Sequence, residues 1–390
     1  MEVASIQKIG KFFETNPLRI NEAKEQGKKV MGTYCIYSPN EMAMAMGAIP
    51  VSLCGTRQDA IPAAESILPR TVCPLIKSSF GFWINDSCAY LAASDLIVGD
   101  TTCDGKKKMF ELMGEKLNML ILQLPSAQDE ELALPFWEKQ FEILEERLEK
   151  DFGGKITRES LEQAIELANR ERAAMKRVMD ASRHKPSPIT GMQLIELAFK
   201  TSFFPDKEVG IKMLEEVADE LEGMIAKGLS PYAEATPRVV LTGVPVGIGS
   251  HKVIKLLEDC GANVVVLDSC TGYKKVRTMV DVKPGASKAE MIRTLAKRYL
   301  DIPCSVMSPN PTRYEVIAEL AREFKADAVV DLSWQGCHTY NVEGYSVKKY
   351  VTEELGLPAL QLETDYSESD TEQLRVRIEA FLEMVQQRKK

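Results

Sequence analysis

The sequence predicts an α/β protein with two parallel-sheet domains that are joined by a helical segment. Strand-like and helix-like stretches alternate in the first third of the chain and again after Arg238. The stretch between them shows helical periodicity without a convincing strand. Alternating strands and helices favour a mostly parallel sheet with helices on both faces, and 390 residues suffice for two such domains.

The first domain is expected over residues 1–131 and begins with an N-terminal helix. Its predicted strands are KKVMGTYC, AIPVSLCG, DLIVGD and LNMLILQLP. Between them, SPNEMAMAMG is predicted to form a helix after a Ser-Pro turn. Two further helices are predicted, one over Pro74–Ala93 and one from Lys106 onward.

Residues 132–236 are predicted to form a helical bridge. The segment is rich in Glu, Leu, Lys and Arg, and Leu161, Ile165, Ala168 and Met175 recur on one helical face. The stretch SRHKPSPITG is expected to interrupt the helices.

The second domain is expected over residues 237–390. Its predicted strands are RVVLTGVP, ANVVVLDSC, DAVVDLSW and LPALQLE, and SDLIVGDTTC resembles ADAVVDLSWQGC in the two halves. We therefore predict two Rossmann-like (flavodoxin-type) domains facing one another. Ser369 and Glu372 are predicted to form a capping box that opens a C-terminal helix with an apolar stripe.

Composition excludes several classes of protein. A net charge of −8 without a basic stripe argues against general nucleic-acid binding. No apolar run approaches the roughly 20 residues of a membrane span. The stretch MEVASIQKIGKFFETN lacks the apolar core and cleavage site of a signal peptide, so we expect a cytoplasmic protein.

Nine cysteines and only three histidines indicate that any metal centre is held by thiolate sulfur. Three thiols in each predicted domain follow strands or precede helices, about one βα unit apart. These are Cys35, Cys73 and Cys103 in the first domain and Cys270, Cys304 and Cys337 in the second. Such loops lie side by side at one edge of a parallel sheet, and three thiolates fit a [4Fe–4S] cubane with one iron left open.

The three other cysteines are not placed in the predicted ligand set. Cys88 and Cys260 are expected to be core residues. Cys54 follows the second strand, as Cys270 does in the other half, so repeat symmetry favours Cys54 over Cys35 as a ligand. The turn-forming loop CIYSPNEM favours Cys35, which we prefer.

The motifs YCIYSPNEMAMAMGAIPV, RTVCPLIKS and GDTTCDGKKKMFELM resemble those of the 2-hydroxyacyl-CoA dehydratase family, which includes the benzoyl-CoA reductase subunits. The resemblance implies that Cys35, Cys73 and Cys103 hold one cubane. The second trio departs from the dehydratase subunits and looks like the double-cubane cluster proteins of the same superfamily. There, six cysteines between two domains hold an [8Fe–9S] cluster.

The resemblance also implies an activity and partners. It implies an anaerobic, low-potential reductase of small molecules, a homodimer that receives electrons from a separate ATP-hydrolysing iron–sulfur activator. The chain has no G-x-x-x-x-G-K-[ST] loop, consistent with an outside source of that energy. Candidates for proton delivery and for hydrogen bonds to the cluster are Ser38, Lys77, Asp104, Gln335 and His338.

Three alternatives stay open. The first is a dehydratase subunit with a single [4Fe–4S] cluster, in which Lys106, Lys107 and Lys108 contact CoA phosphates; otherwise these lysines are solvated or offset cluster charge. The second is a nucleotide-binding scaffold, because Gly243, Gly247, Gly249 and Asp268 partly match a dinucleotide fingerprint. The third is a zinc-stabilised scaffold, although the chain contains no C-x-x-C pair.

Overall fold

A computed structural model describes residues 3–388 and contains two four-stranded parallel sheets. The first has strand order β2-β1-β3-β4, with β1 (Val30–Thr33), β2 (Ile49–Ser52), β3 (Leu96–Asp100) and β4 (Met119–Leu122). The second has order β6-β5-β7-β8, with β5 (Arg238–Gly243), β6 (Asn263–Asp268), β7 (Ala328–Trp334) and β8 (Ala359–Thr364). The equal strand order confirms the prediction of two Rossmann-like sheets.

The inner strands carry the core of each sheet. Every residue of the inner strands β1, β3, β5 and β7 is buried, as expected for parallel strands that are covered on both faces, and the edge strand β6 is buried as well. The edge strands β4 and β8 are only partly buried. This difference explains why the inner strands are almost continuously apolar in the sequence.

The first sheet is accompanied by short helices. They are α1 (Ala4–Glu14), α2 (Asn16–Glu25), α3 (Asn40–Ala45), α4 (Ile61–Ala64), α5 (Pro74–Ile84), α6 (Ala89–Ala93) and α7 (Asp104–Gly114). The single helix expected over Pro74–Ala93 is wrong, because α5 ends at Ile84 and Asp86 takes a left-handed φ of 48°. Cys88 then caps α6 by accepting a hydrogen bond from the Leu91 amide.

The bridge is helical throughout its regular structure, as predicted. Its helices are α8 (Ala133–Phe152), α9 (Arg158–Asp180), α10 (Gly191–Thr201) and α11 (Lys207–Ala226). The predicted apolar face of α9 is buried, and capping boxes at Thr157 and Thr190 open α9 and α10. The N-terminal helix α1 packs on this bridge, since Glu220 of α11 accepts hydrogen bonds from the Ala4 and Ser5 amides.

Six α-helices follow β5 within the described residues. They are α12 (Lys252–Asp259), α13 (Tyr273–Val276), α14 (Lys288–Leu300), α15 (Pro311–Glu323), α16 (His338–Lys349) and α17 (Thr371–Arg388). The capping box predicted at Ser369 and Glu372 is wrong, because α17 begins at Thr371 and Asp370 directly precedes it. The apolar stripe of α17 is buried as predicted.

The two domains meet through the loops at the carboxyl edges of their sheets. The Tyr37 hydroxyl donates to the Ile302 carbonyl at 2.8 Å, and the Thr56 hydroxyl donates to the Ile248 carbonyl at 2.7 Å. These bonds place the strand-to-helix loops of one domain against those of the other. No helix between residues 3 and 388 has the length and apolarity needed to cross a bilayer.

Candidate metal centre

Three cysteines of the first domain lie in loops at the interdomain face. Cys35 follows β1 and takes a φ of 82°, in the left-handed region that non-glycine residues rarely adopt. Such a conformation costs about 1–3 kcal/mol and tends to occur at functional sites. Cys73 and Cys103 directly precede α5 and α7, and Pro74 occupies the first turn of α5.

Three cysteines of the second domain also lie in loops at the interdomain face. Cys270 follows β6, Cys304 lies between α14 and α15, and Cys337 directly precedes α16. Gly336 has a φ of 78°, and a Cβ there would lie 2.3 Å from the Thr71 carbonyl oxygen. Only glycine allows this approach, which brings the Cys337 loop against the Cys73 loop.

The six thiols converge, although they come from six separate loops. The Cys270 thiol faces the sulfurs of Cys35 and Cys304, and this interaction lowers the pKa of Cys35 well below its ordinary value. It also lowers the pKa of Cys304 to about 7. Each of the six is close enough to at least two others to perturb, or be perturbed by, their ionisation.

The remaining thiols of this group are disfavoured as thiolates by burial. Burial and the neighbouring Cys337 raise the pKa of Cys73 to about 12. Burial likewise raises the pKa of Cys103 and Cys337. Because a metal binds the thiolate, these buried thiols would ionise only with a compensating positive charge beside them.

The first domain supplies one such charge through Lys106. This lysine is buried, and although burial opposes its charged form, Cys35, Cys54 and Asp100 raise its pKa well above the ordinary value. Lys107 and Lys108 are exposed and form ion pairs with Asp104 and Glu111. Of the three consecutive lysines, only Lys106 therefore faces the thiols.

The second domain supplies a buried charged network beside Cys304. The Tyr340 hydroxyl lies 3.8 Å from the Cys304 sulfur, and Asn310 donates to the Cys304 carbonyl at 2.9 Å. Lys274 is fully buried, 3.6 Å from the Asp268 carboxylate, and makes no hydrogen bond within the described chain. Arg313 lies 3.8 Å from the same carboxylate.

A cavity of about 130 Å³ adjoins the thiols on the side of the helical bridge. Cys35, Cys54 and Cys270 contribute to its wall. Its other lining groups include cations, one carboxylate and an apolar surface from α9 to α11. They include Lys106, Glu171, Arg172, Met175, Met179, Leu214, Lys275, Arg298 and Tyr299.

Some of the accessory residues predicted from the sequence lie near the thiols, and others do not. Ser38 is buried in the cavity wall, and its hydroxyl has no hydrogen-bond partner among residues 3–388. Lys77 is engaged elsewhere, donating to Glu65 at 2.8 Å and to the Arg70 carbonyl at 3.1 Å.

The other accessory residues face outward. Gln335 and His338 are exposed on either side of Cys337, and Gln335 borders an acidic surface pocket with Glu363 and Asp365. Asp104 is exposed and paired with Lys107 at 3.3 Å. Of all the accessory candidates, Ser38 is the one buried in the cavity wall beside Cys35.

The three remaining cysteines differ in their surroundings. Cys54 lies beside Cys35 and Lys106, and burial raises its pKa. Cys88 caps α6, and Cys260 lies 3.9 Å from the Arg375 guanidinium; neither is perturbed by another thiol. Cys35, unlike Cys54, also meets thiols of the second domain.

The glycine-rich loop after β5 has a packing role. A Cβ on Gly247 would lie 2.6 Å from the Thr56 side chain, and one on Gly249 would lie 2.8 Å from the Thr56 carbonyl oxygen. Asp268 is buried and accepts a hydrogen bond from Thr242 at 2.7 Å. The first domain thus covers the loop, and the acid is engaged internally, which disfavours a nucleotide site there.

The donor set fits a cluster better than a single ion. Within residues 3–388, no three Cys, His, Asp or Glu side chains gather around one point at metal-ion distances. In a cubane each thiolate binds a different iron, so the ligands are spread around the cluster. The hydroxyls of Ser38 and Ser305 and the Lys274 ammonium are buried without hydrogen-bond partners in this part of the chain, as donors to cluster sulfurs would be.

Sequence reasoning missed several residues of the site. Tyr340, Lys274 and Arg313 surround Cys304, and Lys275 and Arg298 line the cavity. Charged residues on short helices are ordinarily solvated, so the sequence alone gave no sign that these were buried.

Comparison with known proteins gives matches over nearly the whole chain. The family model described as 2-hydroxyglutaryl-CoA dehydratase, D-component, matches residues 35–385. The protein named "Putative dehydratase subunit YjiM" from Escherichia coli (strain K12) is 38% identical over 377 residues, 95% of either chain. The (R)-phenyllactyl-CoA dehydratase beta subunit of Clostridium sporogenes is 27% identical over 92% of either chain. A benzoyl-CoA reductase subunit of Thauera aromatica is 23% identical over 99% of this chain and 95% of its own.

Proposed function

The chain belongs to the 2-hydroxyglutaryl-CoA dehydratase D-component family, and on that premise we propose that it is an iron–sulfur reductase with a double-cubane [8Fe–9S] cluster. The six ligands in this proposal are Cys35, Cys73, Cys103, Cys270, Cys304 and Cys337. The cluster would supply low-potential electrons for the reduction of a small molecule.

The observation that carries the proposal is the convergence of thiols from both domains. A single cubane needs only the first trio, whereas here Cys270 faces Cys35 across the domain boundary and Cys337 adjoins the Cys73 loop. The left-handed backbone of Cys35 and the glycine at position 336 both allow the loops of the two domains to approach each other. Neither feature is needed if the second trio consists of ordinary core cysteines.

The chain's own residues have separate roles around the thiols. Lys106 and Lys274 offset negative charge from the two sides, and the Tyr340 hydroxyl, 3.8 Å from the Cys304 sulfur, would donate to that sulfur once it is a thiolate. Ser38, on the cavity wall, has a free hydroxyl that can pass a proton or hydrogen-bond a substrate. The first domain and the bridge exclude bulk water from one side of the centre.

The proposal includes partners. Electrons would come from a separate ATP-hydrolysing iron–sulfur activator, and the enzyme would act as an anaerobic cytoplasmic homodimer. The related proteins named above are subunits, which supports assembly with other chains. His338 and Gln335 are exposed beside Cys337, at the start of α16, and we infer that the activator docks on this side.

A dehydratase subunit with a single [4Fe–4S] cluster is the second candidate, favoured by the names of the relatives. Its substrate would be a CoA thioester. The cavity beside Cys35 is about 130 Å³, below the roughly 300–1,000 Å³ of pockets for drug-sized ligands, and CoA is larger still. The cavity size therefore favours the reductase.

Iron and acid-labile sulfide per chain, measured after strictly anaerobic purification, test the proposal. About eight irons with slightly more sulfide are expected for the double cubane. About four irons would instead support the dehydratase subunit. Zinc alone, or no metal in protected protein, would reject both cluster assignments.

Cysteine variants make this test specific. Cys304→Ser and Cys337→Ser should lower iron content and alter the electron paramagnetic resonance spectrum of the reduced protein, since both thiols belong to the group of six. Cys260→Ser is the matched control, because its thiol faces Arg375 and no other cysteine. Full iron content in both site variants would contradict the assignment of the second trio.

A further inference from the structure

The cavity beside Cys35 and Cys270 carries an excess of positive charge. Four cationic side chains line it, against a single carboxylate, that of Glu171. The four cations are Lys106, Arg172, Lys275 and Arg298. An uncompensated cation in a buried site is costly unless an anion is nearby, so the balance of charges around each one matters.

Two of the lining charges are neutralised by neighbours outside the cavity. Arg172 forms a salt bridge with the fully buried Glu41, and Glu171 accepts a hydrogen bond from Lys207 at 2.9 Å. Because these pairs neutralise one lining cation and the one lining carboxylate, the net excess of positive charge in the lining is unchanged. Lys106 is balanced separately, because its charged neighbours are the thiols and Asp100.

Lys275 and Arg298 have no carboxylate of their own. Arg298 donates to the carbonyl oxygens of Lys275 and Thr278, at 2.7 and 3.4 Å, so its charge is hydrogen-bonded but not neutralised. The Lys275 ammonium makes no hydrogen bond or salt bridge with residues 3–388, and its side chain reaches the cavity. Two cations thus line one cavity without a salt bridge to a carboxylate among residues 3–388, and the one carboxylate in the lining, Glu171, is bonded to Lys207.

We propose that this cavity binds the substrate of the reductase, and that the substrate is a small carboxylate or another compact oxyanion whose charge faces Lys275 and Arg298. The inference rests on the proposed function of the six-thiol centre, because Cys35 and Cys270 line the same cavity. It assigns the charged end of the substrate to the second domain and the reacting end to the thiols.

The size and chemistry of the walls restrict the ligand further. A volume of about 130 Å³ admits a molecule of a few non-hydrogen atoms. Met175, Met179 and Leu214 add an apolar surface to the same cavity. A short carbon skeleton with one anionic group matches both features, whereas a long acyl chain does not.

The ionisation of Lys275 is consistent with a missing anion. Burial lowers its pKa to about 8; Glu171 acts in the opposite direction, and Lys207, Arg172 and Arg298 lower the pKa further. A bound oxyanion would supply the opposite charge that this environment lacks and would favour the ammonium form.

The experiment uses cluster-loaded protein and two probes of equal size, acetate and acetamide, labelled with ¹³C and titrated by nuclear magnetic resonance. Acetate should bind and acetamide should bind at least tenfold more weakly, since the two differ in charge. Lys275→Gln should weaken acetate binding by tenfold or more, while Lys275→Arg, which keeps the charge, should retain it. Lys348→Gln, on the exposed surface of α16, is the control and should leave binding unchanged.

The experiment distinguishes failure of the anion site from failure of the proposed cluster. Equal binding of the two probes, no acetate binding, or unchanged acetate binding in Lys275→Gln would overturn the inference. If Lys275→Gln fails to fold, the comparison of acetate with acetamide in the unmodified protein decides. Acetate bound near a reduced cluster should also show paramagnetic broadening; charge-selective binding without broadening or iron would leave the anion site standing and reject the proposed centre.

Discussion

Glu41 connects the first domain to the helical bridge and to the second domain through its side-chain contacts. It lies at the start of α3 in the first domain, is fully buried, and pairs with Arg172 of bridge helix α9. Its other oxygen accepts a hydrogen bond from the Tyr299 hydroxyl of α14 at 2.8 Å. Glu41→Gln keeps the shape of the side chain and removes the charge, so it leaves Arg172 buried beside a neutral group.

The expected loss of stability is large. Arg172 is 8% exposed, and removing one partner of a buried ion pair costs about 3–5 kcal/mol because the other charge stays uncompensated. Burial alone would raise the pKa of Glu41, but Arg172 and Arg298 lower it below the ordinary value of 4.5. The carboxylate therefore contributes stability above about pH 4.5, and that contribution is lost as pH falls through the lowered pKa.

Urea unfolding of Glu41→Gln, Arg172→Met and the double variant measures this coupling. The free energy of unfolding of the double variant should be no lower than that of the less stable single variant, since the double variant leaves no unpaired charge. The difference between the unmodified protein and Glu41→Gln should shrink below pH 4.5. Glu216→Gln, which breaks an exposed pair with Lys8, is the control and should change stability by less than about 1 kcal/mol. Additive losses of about 6–10 kcal/mol in the double variant would refute the reasoning.

Three further predictions concern the second domain. Gly336→Ala should separate the Cys337 and Cys73 loops, because its Cβ would meet the Thr71 carbonyl at 2.3 Å; iron content should fall, and full occupancy would contradict this. Tyr340→Phe should make the cluster potential more negative by roughly 40 mV, about 1 kcal/mol for one electron, in a redox titration; a positive shift would contradict donation to the sulfur. Burial raises the pKa of Asp331 to about 6, so its protonated form favours folding below about pH 4 and that benefit is lost as pH rises through 6. Relative to Asp331→Asn, the unmodified protein should lose roughly 3 kcal/mol between pH 4 and 7, and a pH-independent difference would count against this.

The sequence predicted the fold where hydrophobic patterning is strong. All eight strands were located, because parallel strands buried on both faces are nearly continuous apolar runs, as in β3 and β7. Errors occurred where a single residue decides a boundary. The break after α5 depends on the left-handed Asp86, and the start of α17 depends on Asp370, whose carboxylate is engaged by Thr364 and Lys252. The domain limits at residues 131 and 236 stay predictions.

The sequence indicated the cysteines of the candidate site, together with Ser38 and Lys106. The positions of the cysteines after strands and before helices follow from the βα pattern, so the sequence could name them and the sheet edge where they meet. The cations of the second domain could not be identified in the same way. Lys275 and Arg298 lie on separate helices, and their relation to the cavity depends on how α13 and α14 pack against the bridge. Lys77 and Asp104, which adjoin cysteines in sequence, are paired with other side chains instead.

Strand order sharpens the choice between Cys35 and Cys54. The two sheets have the same order, so β2 corresponds to β6, and Cys54 is the topological counterpart of Cys270. Two identical half-sites would place equivalent thiols against one another. Instead, Cys35 adopts a strained conformation and meets both Cys270 and Cys304, while the thiol that acts most strongly on the pKa of Cys54 is that of Cys35. A strained residue persists when its position brings a benefit elsewhere, and here the benefit is a third thiol that completes the interdomain group. The departure from repeat symmetry is therefore an argument for Cys35 as the ligand, and a Cys54→Ser variant should retain the iron that Cys35→Ser loses.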